Sequence, residues 1–473
     1  MNLSARIHDL DPRFLLALAG LLLLGLMFPG DVQFINDEGL LISNAVAANS
    51  RGELAAKGLI GTAGIHYGPI PTWFYQASLA ISRDLILISL VKNGISLLLL
   101  VLGLAWLGRL CRLPLAWMLP VFIAPFFWQL NRSLWDDGFC HVLGLLCLTA
   151  YLQFVKDGRL RGLIASVLLA VLLVHIQIKS VFIVLAVFAS FLLLDQRRWR
   201  ARPLAHLATP FIGIAACLPY GLYVLRNMKL GGTGGPSASG LERLQSAGNS
   251  LLGSETISWR AWSDHTLPEI YNVLPAQLLH TLGWVSGLAL LVTLFGLVCE
   301  LRRLRHGEVR GRACLLCLAV ILQFAGFFAL TGRAFLPHYH LAVWFAYFYF
   351  FWAGAQALWG VRFGKALLRC YAIAQFALFL MTISFIHGNG GNRSHRYGPT
   401  LANQLQVAHQ VSILPAGSPV RPMVQNIGAY PHSFSILMHL VGGERRAGAP
   451  RSSIIQYREE QGESGWIELR SAP

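Results

Sequence analysis

The sequence predicts an all-α polytopic membrane protein with about eleven transmembrane helices and a small C-terminal extracytoplasmic α/β module. Composition is the first observation: 55% of the 473 residues are hydrophobic and only 13% are charged. A soluble domain carries about 25% charged residues, so water is not the main solvent of this chain. The other two observations are apolar runs of membrane length and basic residues in alternate connections between those runs.

The apolar runs define the predicted helices. A membrane-spanning helix needs about 20 predominantly apolar residues. We interpret each run near that length as one helix, and the predicted bundle follows from their number. The runs lie at 14–29, 85–107, 114–128, 138–155, 162–177, 180–194, 207–225, 278–300, 314–331, 339–358 and 370–387.

Basic residues mark one side of the predicted membrane. Every second connection is short and contains arginine or lysine, which is typical of cytoplasmic loops. This alternation predicts a multi-pass membrane protein with a cytoplasmic N-terminus and a periplasmic or extracellular C-terminal domain. We expect the membrane to be the bacterial inner membrane. Because the net charge of +16 is spread over loops beside apolar runs, a nucleic-acid partner is not expected. The basic residues of these loops are Arg109, Arg112, Lys156, Arg159, Arg161, Arg197, Arg198, Arg200, Arg202, Arg302, Arg303, Arg305, Arg310, Arg312, Arg362, Lys365 and Arg369.

Three long segments are then predicted to lie outside the cytoplasm. They are the loop 30–84, the loop 226–277 and the C-terminal tail. We divide the chain into a transmembrane domain, 1–387, and a C-terminal domain, 388–473. The tail opens with a glycine-rich linker and contains one predicted helix near 399–413 and two short predicted strands.

Two carboxylates follow the first apolar run. Asp37 and Glu38 stand at the start of a helical pattern, where they are expected to lie at the membrane surface. A helix N-terminus favours negative charge, so a solvated capping acid is one interpretation. A catalytic general base is the other.

Further polar residues stand beside prolines and in a tight connection. His66 and Tyr67 precede a proline-rich turn. An aromatic belt at the membrane interface explains the aromatic residues that follow the turn, but it explains His66 less well. Arg132, Asp136 and Asp137 fall in a short predicted outer connection. The acids either cap the next helix or contact a substrate.

Three cationic or titratable residues are candidates for binding an anion. Lys179 stands inside an apolar stretch, where an ionisable group is costly and is usually paired or functional. It either snorkels to the headgroups or contacts a phosphate, which a compact ammonium suits. Arg333 and His338 stand in a short predicted outer loop, where they either anchor the interface or bind a phosphate or a metal.

The order of these motifs resembles that of the membrane-embedded GT-C glycosyltransferases. The resemblance covers about the first 200 residues, and it is closest to the protein O-mannosyltransferase-like and lipid A aminoarabinose or galacturonic acid transferase-like branch. The motifs that carry it are Asp37-Glu38-Gly39, His66-Tyr67-Gly68-Pro69, Arg132 with Asp136-Asp137, and Lys179.

The resemblance implies transfer of a hexosyl or pentosyl group from a polyprenyl-phosphate donor to a hydroxyl of a glycolipid, a wall polymer or a protein, with inversion. Asp37, or Glu38, would act as general base on that hydroxyl. Lys179, Arg333 and His338 would bind the donor phosphate. The expected substrate-binding residues are His66, Tyr67, Arg132, Asp136 and Asp137.

More than one interpretation stays open for the cofactor and for the function. Some relatives hold a divalent metal ion, for which Asp37, His66 and His338 would be the ligands here, although the sequence requires no metal. A polysaccharide polymerase or ligase that uses polyprenyl carriers, a transporter, and a structural or assembly protein are the competing classes. Acidic residues near the start of the first outer loop disfavour the polysaccharide polymerase or ligase. The lack of an internal repeat disfavours the transporter.

Overall fold

The protein is a bundle of α-helices that run back and forth between two ends, as seen in a computed structural model. The structure describes residues 11–34, 36–61, 64–227, 240–252, 276–304, 309–331, 337–391, 397–412, 436–441, 456–457 and 467–468. Within these ranges the helices are α1 (Pro12–Leu26), α2 (Asn36–Ser50), α3 (Ile70–Ile81), α4 (Leu85–Cys111), α5 (Pro125–Arg132), α6 (Asp137–Asp157), α7 (Leu160–Ile176), α8 (Val181–Leu194), α9 (Gln196–Ala201), α10 (Pro203–Asn227), α11 (Gly240–Leu252), α12 (Ala276–Arg303), α13 (Val309–Thr331), α14 (Trp344–Trp359), α15 (Arg362–Asn389) and α16 (Leu401–Ser412).

Five helices of the described chain, α4, α6, α10, α13 and α15, are long and apolar enough to cross a membrane. Three further apolar helices are shorter than a full span of about 20 residues. They cover Pro12–Leu26, Leu160–Ile176 and Ile178–Leu194. The structure therefore supports a multi-pass protein, whereas the predicted count of about eleven transmembrane helices is not confirmed.

The predicted span 114–128 is not one continuous helix. A 3-10 helix covers Leu115–Ile123, and α5 begins afresh at Pro125. Prolines explain the division, because Pro114, Pro120 and Pro125 lack the N–H group that an α-helix needs. Hydropathy alone cannot detect the division, since the whole run is apolar.

The predicted inner connections meet at one end of the bundle, which we call the basic end. Arg310 donates to the Cys111 carbonyl at 3.4 Å, and Arg198 donates to the Phe154 carbonyl at 2.8 Å. These bonds join connections that are far apart in the sequence. The opposite end, where α6 begins and α7 ends, is called the acidic end below.

Buried ion pairs fasten the basic end. Glu300 is 1% exposed and accepts hydrogen bonds from Arg310 Nε and Nη2 at 2.8 to 3.1 Å. Arg303 and the Tyr349 hydroxyl also donate to it, at 3.1 Å and 2.7 Å. A second buried acid, Asp195, lies 3.4 Å from Arg312. These contacts join α12, α13 and α14 to one another and to the connection between α8 and α9 at the basic end.

Helix α14 is the centre of the packing. Every residue from Trp344 to Ala355 is buried, as expected for a helix that is apolar on all sides and surrounded by protein. Glycines allow α12 to approach it closely. A Cβ on Gly296 would collide with the Phe350 carbonyl oxygen, and one on Gly354 would collide with the Val292 carbonyl oxygen. Small residues permit such backbone contact between membrane helices.

The C-terminal tail is described in part. The predicted helix near 399–413 is α16, Leu401–Ser412. Two-residue strands, β1 (Gln456–Tyr457) and β2 (Ile467–Glu468), pair antiparallel. Most of 413–473 lies outside the described residues, so the α/β module stays a prediction, as does the boundary at 387/388.

We expect Arg310→Met to destabilise the protein by about 3 kcal/mol, because it leaves the buried Glu300 carboxylate without its main counter-charge. Thermal unfolding of the purified protein in detergent measures the change. The matched control is Arg302→Met, at an exposed position two residues after Glu300. Equal unfolding temperatures for Arg310→Met and the control would contradict the stabilising role of the pair.

Candidate active site

The start of α6 holds two adjacent acids at the acidic end. Asp136 is the N-cap residue, and its Oδ1 accepts a 2.8 Å hydrogen bond from the Asp137 backbone N–H. Both residues are nearly fully buried. The unpaired N–H groups and the dipole of a helix N-terminus favour carboxylates there, which explains why the chain tolerates two of them.

A break between α7 and α8 brings a cation to these acids. The chain is extended at Gln177, and a 3-10 turn covers Ile178–Ser180. Lys179 Nζ donates to Asp137 Oδ2 at 3.1 Å, and Gln177 Nε2 donates to Asp137 Oδ1 at 2.5 Å. The Lys179 side chain is 20% exposed and that of Asp137 is 3% exposed. One end of the ion pair is therefore accessible.

Asp37 enters the same electrostatic environment from α2. It lies in the first turn of that helix and is half-buried. Burial raises the pKa of the Asp37 carboxyl above its ordinary value, the charge of Asp137 raises it further, and the charge of Lys179 opposes both. Three elements that are distant in sequence thus contribute Asp37, Asp137 and Lys179 to one cluster, with Asp136 beside them.

Aromatic side chains border this cluster. Lys179 Nζ lies 4.1 Å from the centre of the Tyr339 ring. The His338 ring is 4.4 Å from that of Tyr339 and 4.9 Å from that of Trp135, measured between ring centres. Burial, together with the charge of Asp137, raises the pKa of the Tyr67 hydroxyl. Tyr67 and His338, both predicted from the sequence, therefore lie at the border of the cluster.

His66 has a different environment from Tyr67. Its Nδ1 is 3.2 Å from the Gly58 carbonyl oxygen, and its backbone N–H donates to the Tyr223 hydroxyl at 3.2 Å. The Tyr220 hydroxyl donates to the His66 carbonyl at 3.3 Å. These bonds fasten the loop before α3 to α10. Its contacts are those of a residue that holds a loop, and its predicted substrate contact stays a prediction.

Glu38 lies behind the cluster rather than in it. It is 1% exposed and accepts a 3.0 Å hydrogen bond from the Ser133 hydroxyl. The buried ammonium of Lys92 faces it and donates to the carbonyls of Asn131 and Ser133. Of the two predicted bases, Asp37 is therefore the more exposed, whereas Glu38 joins α2 to the connection between α5 and α6.

Arg132 also points away from the carboxylate cluster. Its guanidinium stacks 4.2 Å from the Trp128 ring centre and donates to the Phe28 carbonyl. Its acidic neighbour is Asp31 rather than the acids of α6, and the neutral Tyr397 hydroxyl lies on the same side. The predicted contact of Arg132 with substrate gains no support from this geometry.

Two further predictions concern a residue that the structure does not describe and a metal site that it does not form. Arg333 lies outside the described residues. Among the residues that are described, no three His, Cys, Asp or Glu side chains are arranged to hold a metal ion. The set of Asp37, His66 and His338 considered for a divalent ion is thus not assembled as a site in this structure.

Lys92 and Tyr339 are residues whose importance the sequence analysis missed. Lys92 had a detectable signal, because it is a charge inside the apolar run 85–107, and such charges are usually paired or functional. Tyr339 had none of its own. Its contact with Lys179 depends on how the turn before α14 packs against the break before α8.

The comparisons with known proteins agree with this architecture. No protein-family model and no curated protein matches the chain. The crystal structure of ArnT from Cupriavidus metallidurans bound to undecaprenyl phosphate matches over 91% of this chain and 85% of that chain, with a TM-score of 0.51 and 13% identity. At this identity the likeness is one of fold. The chain therefore has an ArnT-like fold, which agrees with the predicted resemblance, and the superfamily and its branch stay predictions.

We expect Asp37→Asn to raise the unfolding temperature at neutral pH. The raised pKa means that the ionised Asp37 carboxylate costs stability in the folded protein. The cost is fully present above the folded-state pKa and is absent below the unfolded value of about 4. The difference in unfolding temperature between Asp37→Asn and the wild type should therefore become smaller as the pH falls.

Glu38→Gln is the matched comparison and should lower the unfolding temperature, because it removes the charge that faces buried Lys92. Thermal unfolding across a pH series measures both variants. A lower unfolding temperature for Asp37→Asn than for the wild type at pH 7 would contradict the assignment of Asp37 to a strained, anionic cluster.

Proposed function

We propose that the protein is a glycosyltransferase that moves a sugar from a polyprenyl-phosphate carrier to an acceptor hydroxyl at the outer face of the bacterial inner membrane. One observation carries the proposal: the Asp137–Lys179 ion pair lies at one end of a helical bundle with an ArnT-like fold, and Asp37 is near enough for both charges to act on its carboxyl. A base and a cation in one site are what inverting transfer from a phosphate ester requires.

Asp37 is the proposed general base. The acceptor oxygen attacks the anomeric carbon while its proton passes to the Asp37 carboxylate, and the bond between that carbon and the phosphate oxygen breaks. A carboxyl whose pKa is raised by burial and by the neighbouring Asp137 is a stronger base than an ordinary aspartate. The half-buried position of Asp37 leaves room for an acceptor to reach it.

Lys179 is the proposed ligand of the leaving group. Polyprenyl phosphate departs as an anion and needs positive charge rather than a proton. Asp137 holds the lysine at the break between α7 and α8, and Gln177 donates to the other oxygen of the same carboxylate, so the ammonium is oriented before the substrate arrives. Its remaining N–H groups can then turn towards a phosphate, since the side chain is 20% exposed.

Asp136 is the proposed contact for a sugar hydroxyl. Its Oδ1 caps α6, while its Oδ2 is buried and has no hydrogen-bond partner among the described residues. A buried carboxylate oxygen without a donor costs free energy, and a hydroxyl of the bound sugar would supply that donor. The aromatic border formed by Tyr67 and Tyr339 suits the apolar face of a sugar ring.

The carrier is proposed from chemistry and from fold. The solved ArnT structure was bound to undecaprenyl phosphate. A lipid-linked donor suits a site at the end of apolar helices, because its isoprenoid chain stays in the bilayer while its phosphate reaches Lys179. A glycolipid, a wall polymer and a protein remain the candidate acceptors.

We expect Asp37→Asn to lower kcat/KM for sugar transfer by about a thousandfold, the middle of the range for loss of a general base. Transfer is measured with purified protein in nanodiscs, a panel of polyprenyl-phosphate sugars and crude membrane lipid as acceptor. In the wild type, kcat/KM should fall as the pH drops through the Asp37 pKa, which lies above about 4. Full activity in Asp37→Asn would refute the assigned base.

We expect Lys179→Met to weaken binding of undecaprenyl phosphate at least tenfold and to lower kcat, because the ammonium contacts the phosphate and its attraction grows in the transition state, where negative charge develops on the leaving oxygen. The matched control is Lys156→Met, an exposed lysine at the basic end. Equal affinity in the two variants would remove Lys179 from the phosphate site. Failure of the wild type to transfer any sugar, with flux in liposomes, would instead indicate a transporter.

A further inference from the structure

Residues 30–34 form a five-residue segment of the connection between α1 and the helix that carries Asp37. It contains almost no regular structure, so its backbone must find hydrogen-bond partners elsewhere. Asp31 to Phe34 are all buried, with exposed fractions of 9% or less. Water therefore cannot satisfy the carbonyl groups of this segment.

The C-terminal tail supplies the missing donors. The N–H groups of Leu401 and Ala402 donate to the carbonyls of Val32 and Gly30, both at 2.9 Å. The Tyr397 hydroxyl donates to the Asp31 carbonyl at 2.8 Å. All of these donors come from residues 397–404, which we call the tail strap.

Gln404 makes the contact nearest to Asp37. Its side chain is 1% exposed, and its Nε2 donates to the Phe34 carbonyl at 2.7 Å and to the Pro399 carbonyl at 3.0 Å. Phe34 precedes Asp37 by only three residues, which is a reach of about 10 Å for an extended chain. A shift at Phe34 is therefore transmitted to the first turn of α2.

Apolar packing joins the same two elements. Phe34, Leu41 and Ile42 on the α2 side share one buried cluster with Leu401 and Ala408 of α16. Gly30 approaches the tail so closely that a Cβ there would lie 2.7 Å from the Ala402 Cβ. The tail thus contacts both the backbone before α2 and the buried face of α2.

We propose that the tail strap is a positioning element of the active site, with Gln404 as a positioning residue that fixes the place of Asp37. The inference rests on the proposed function, because it assigns Asp37 the role of base. Gln404 touches neither substrate nor reacting atoms. It acts through the Phe34 carbonyl and the start of α2.

Loosening the strap should hydrate Asp37 as well as displace it. The charged groups that face Asp37 are Asp136 and Asp137 at the start of α6 and Lys179 at the break before α8. If α2 moves outward, the Asp37 carboxyl regains water and moves away from Asp137. Its pKa then falls towards the ordinary value of about 4, because both causes of the shift weaken.

The test compares Gln404→Leu with Gln406→Leu in the full-length protein in nanodiscs. Gln406 is exposed on the other side of the same helix, so it controls for the loss of an amide and the gain of a leucine. For Gln404→Leu we expect kcat to fall about tenfold, with the donor KM changed less than twofold, since a misplaced base affects the chemical step most. We expect the acid limb of the pH profile to move to lower pH.

The pH profile distinguishes positioning from simple loss of folded protein. A variant that is merely less stable has fewer active molecules, and its acid limb stays where it is in the wild type. An unmoved limb with an unchanged kcat per folded molecule would overturn the inference. Should Gln404→Leu fail to fold, Tyr397→Phe decides the question, because it deletes only the hydroxyl that donates to Asp31 and should shift the limb in the same direction.

Failure of this inference is separable from failure of the proposed function. If the wild type transfers no sugar and Asp37→Asn has no effect, the proposed function is wrong and the strap has no base to position. If the wild type transfers sugar and depends on Asp37, while Gln404→Leu and Tyr397→Phe both behave like Gln406→Leu, the strap alone is refuted.

Discussion

The ammonium of Lys179, placed between two apolar helices, must have a counter-charge, and the arrangement of the acidic end follows from that need. An unpaired buried charge costs several kcal/mol, which Asp137 offsets through the ion pair. The pair forms only because the chain is extended at Gln177 and because α6 begins where it does. The start of α6 in turn favours the carboxylate through its free N–H groups.

The site has more negative than positive charge. Asp37, Asp136 and Asp137 lie close enough for their charges to interact, with one ammonium from Lys179 among them. When the three acids are ionised, this imbalance raises the free energy of the folded protein. Burial, and after it the charge of Asp137, raises the pKa of Asp37 and makes the residue more basic, so the features that cost stability also suit the proposed proton transfer. The ion pairs around Glu300 and Asp195 stabilise the opposite end of the bundle.

The sequence was sufficient for the coarse fold and for part of the site. Hydropathy and the alternation of basic loops predicted a multi-pass helical protein, and a GT-C-like fold was predicted from a resemblance in four motifs: Asp37-Glu38-Gly39, His66-Tyr67-Gly68-Pro69, Arg132 with Asp136-Asp137, and Lys179. The division of 114–128 escaped prediction, because a buried 3-10 helix and an α-helix have the same apolar composition. Asp37 could not be separated from Glu38, since the difference depends on a hydrogen bond to Ser133, 95 residues away.

The tail strap has a consequence for how the protein is made. The acceptors of its hydrogen bonds are in segment 30–34, which leaves the ribosome early, whereas the donors Tyr397 and Gln404 follow 366 and 370 residues later. N-terminal parts of a chain are synthesised and begin to fold first, and contacts of such long sequence separation form last. With both segments outside the cytoplasm, as the alternation of basic loops predicts, segment 30–34 crosses the bilayer first, and its carbonyls stay hydrated until the end of the chain has also been translocated. The order of synthesis thus delays completion of the Asp37 environment until the whole bundle has been inserted.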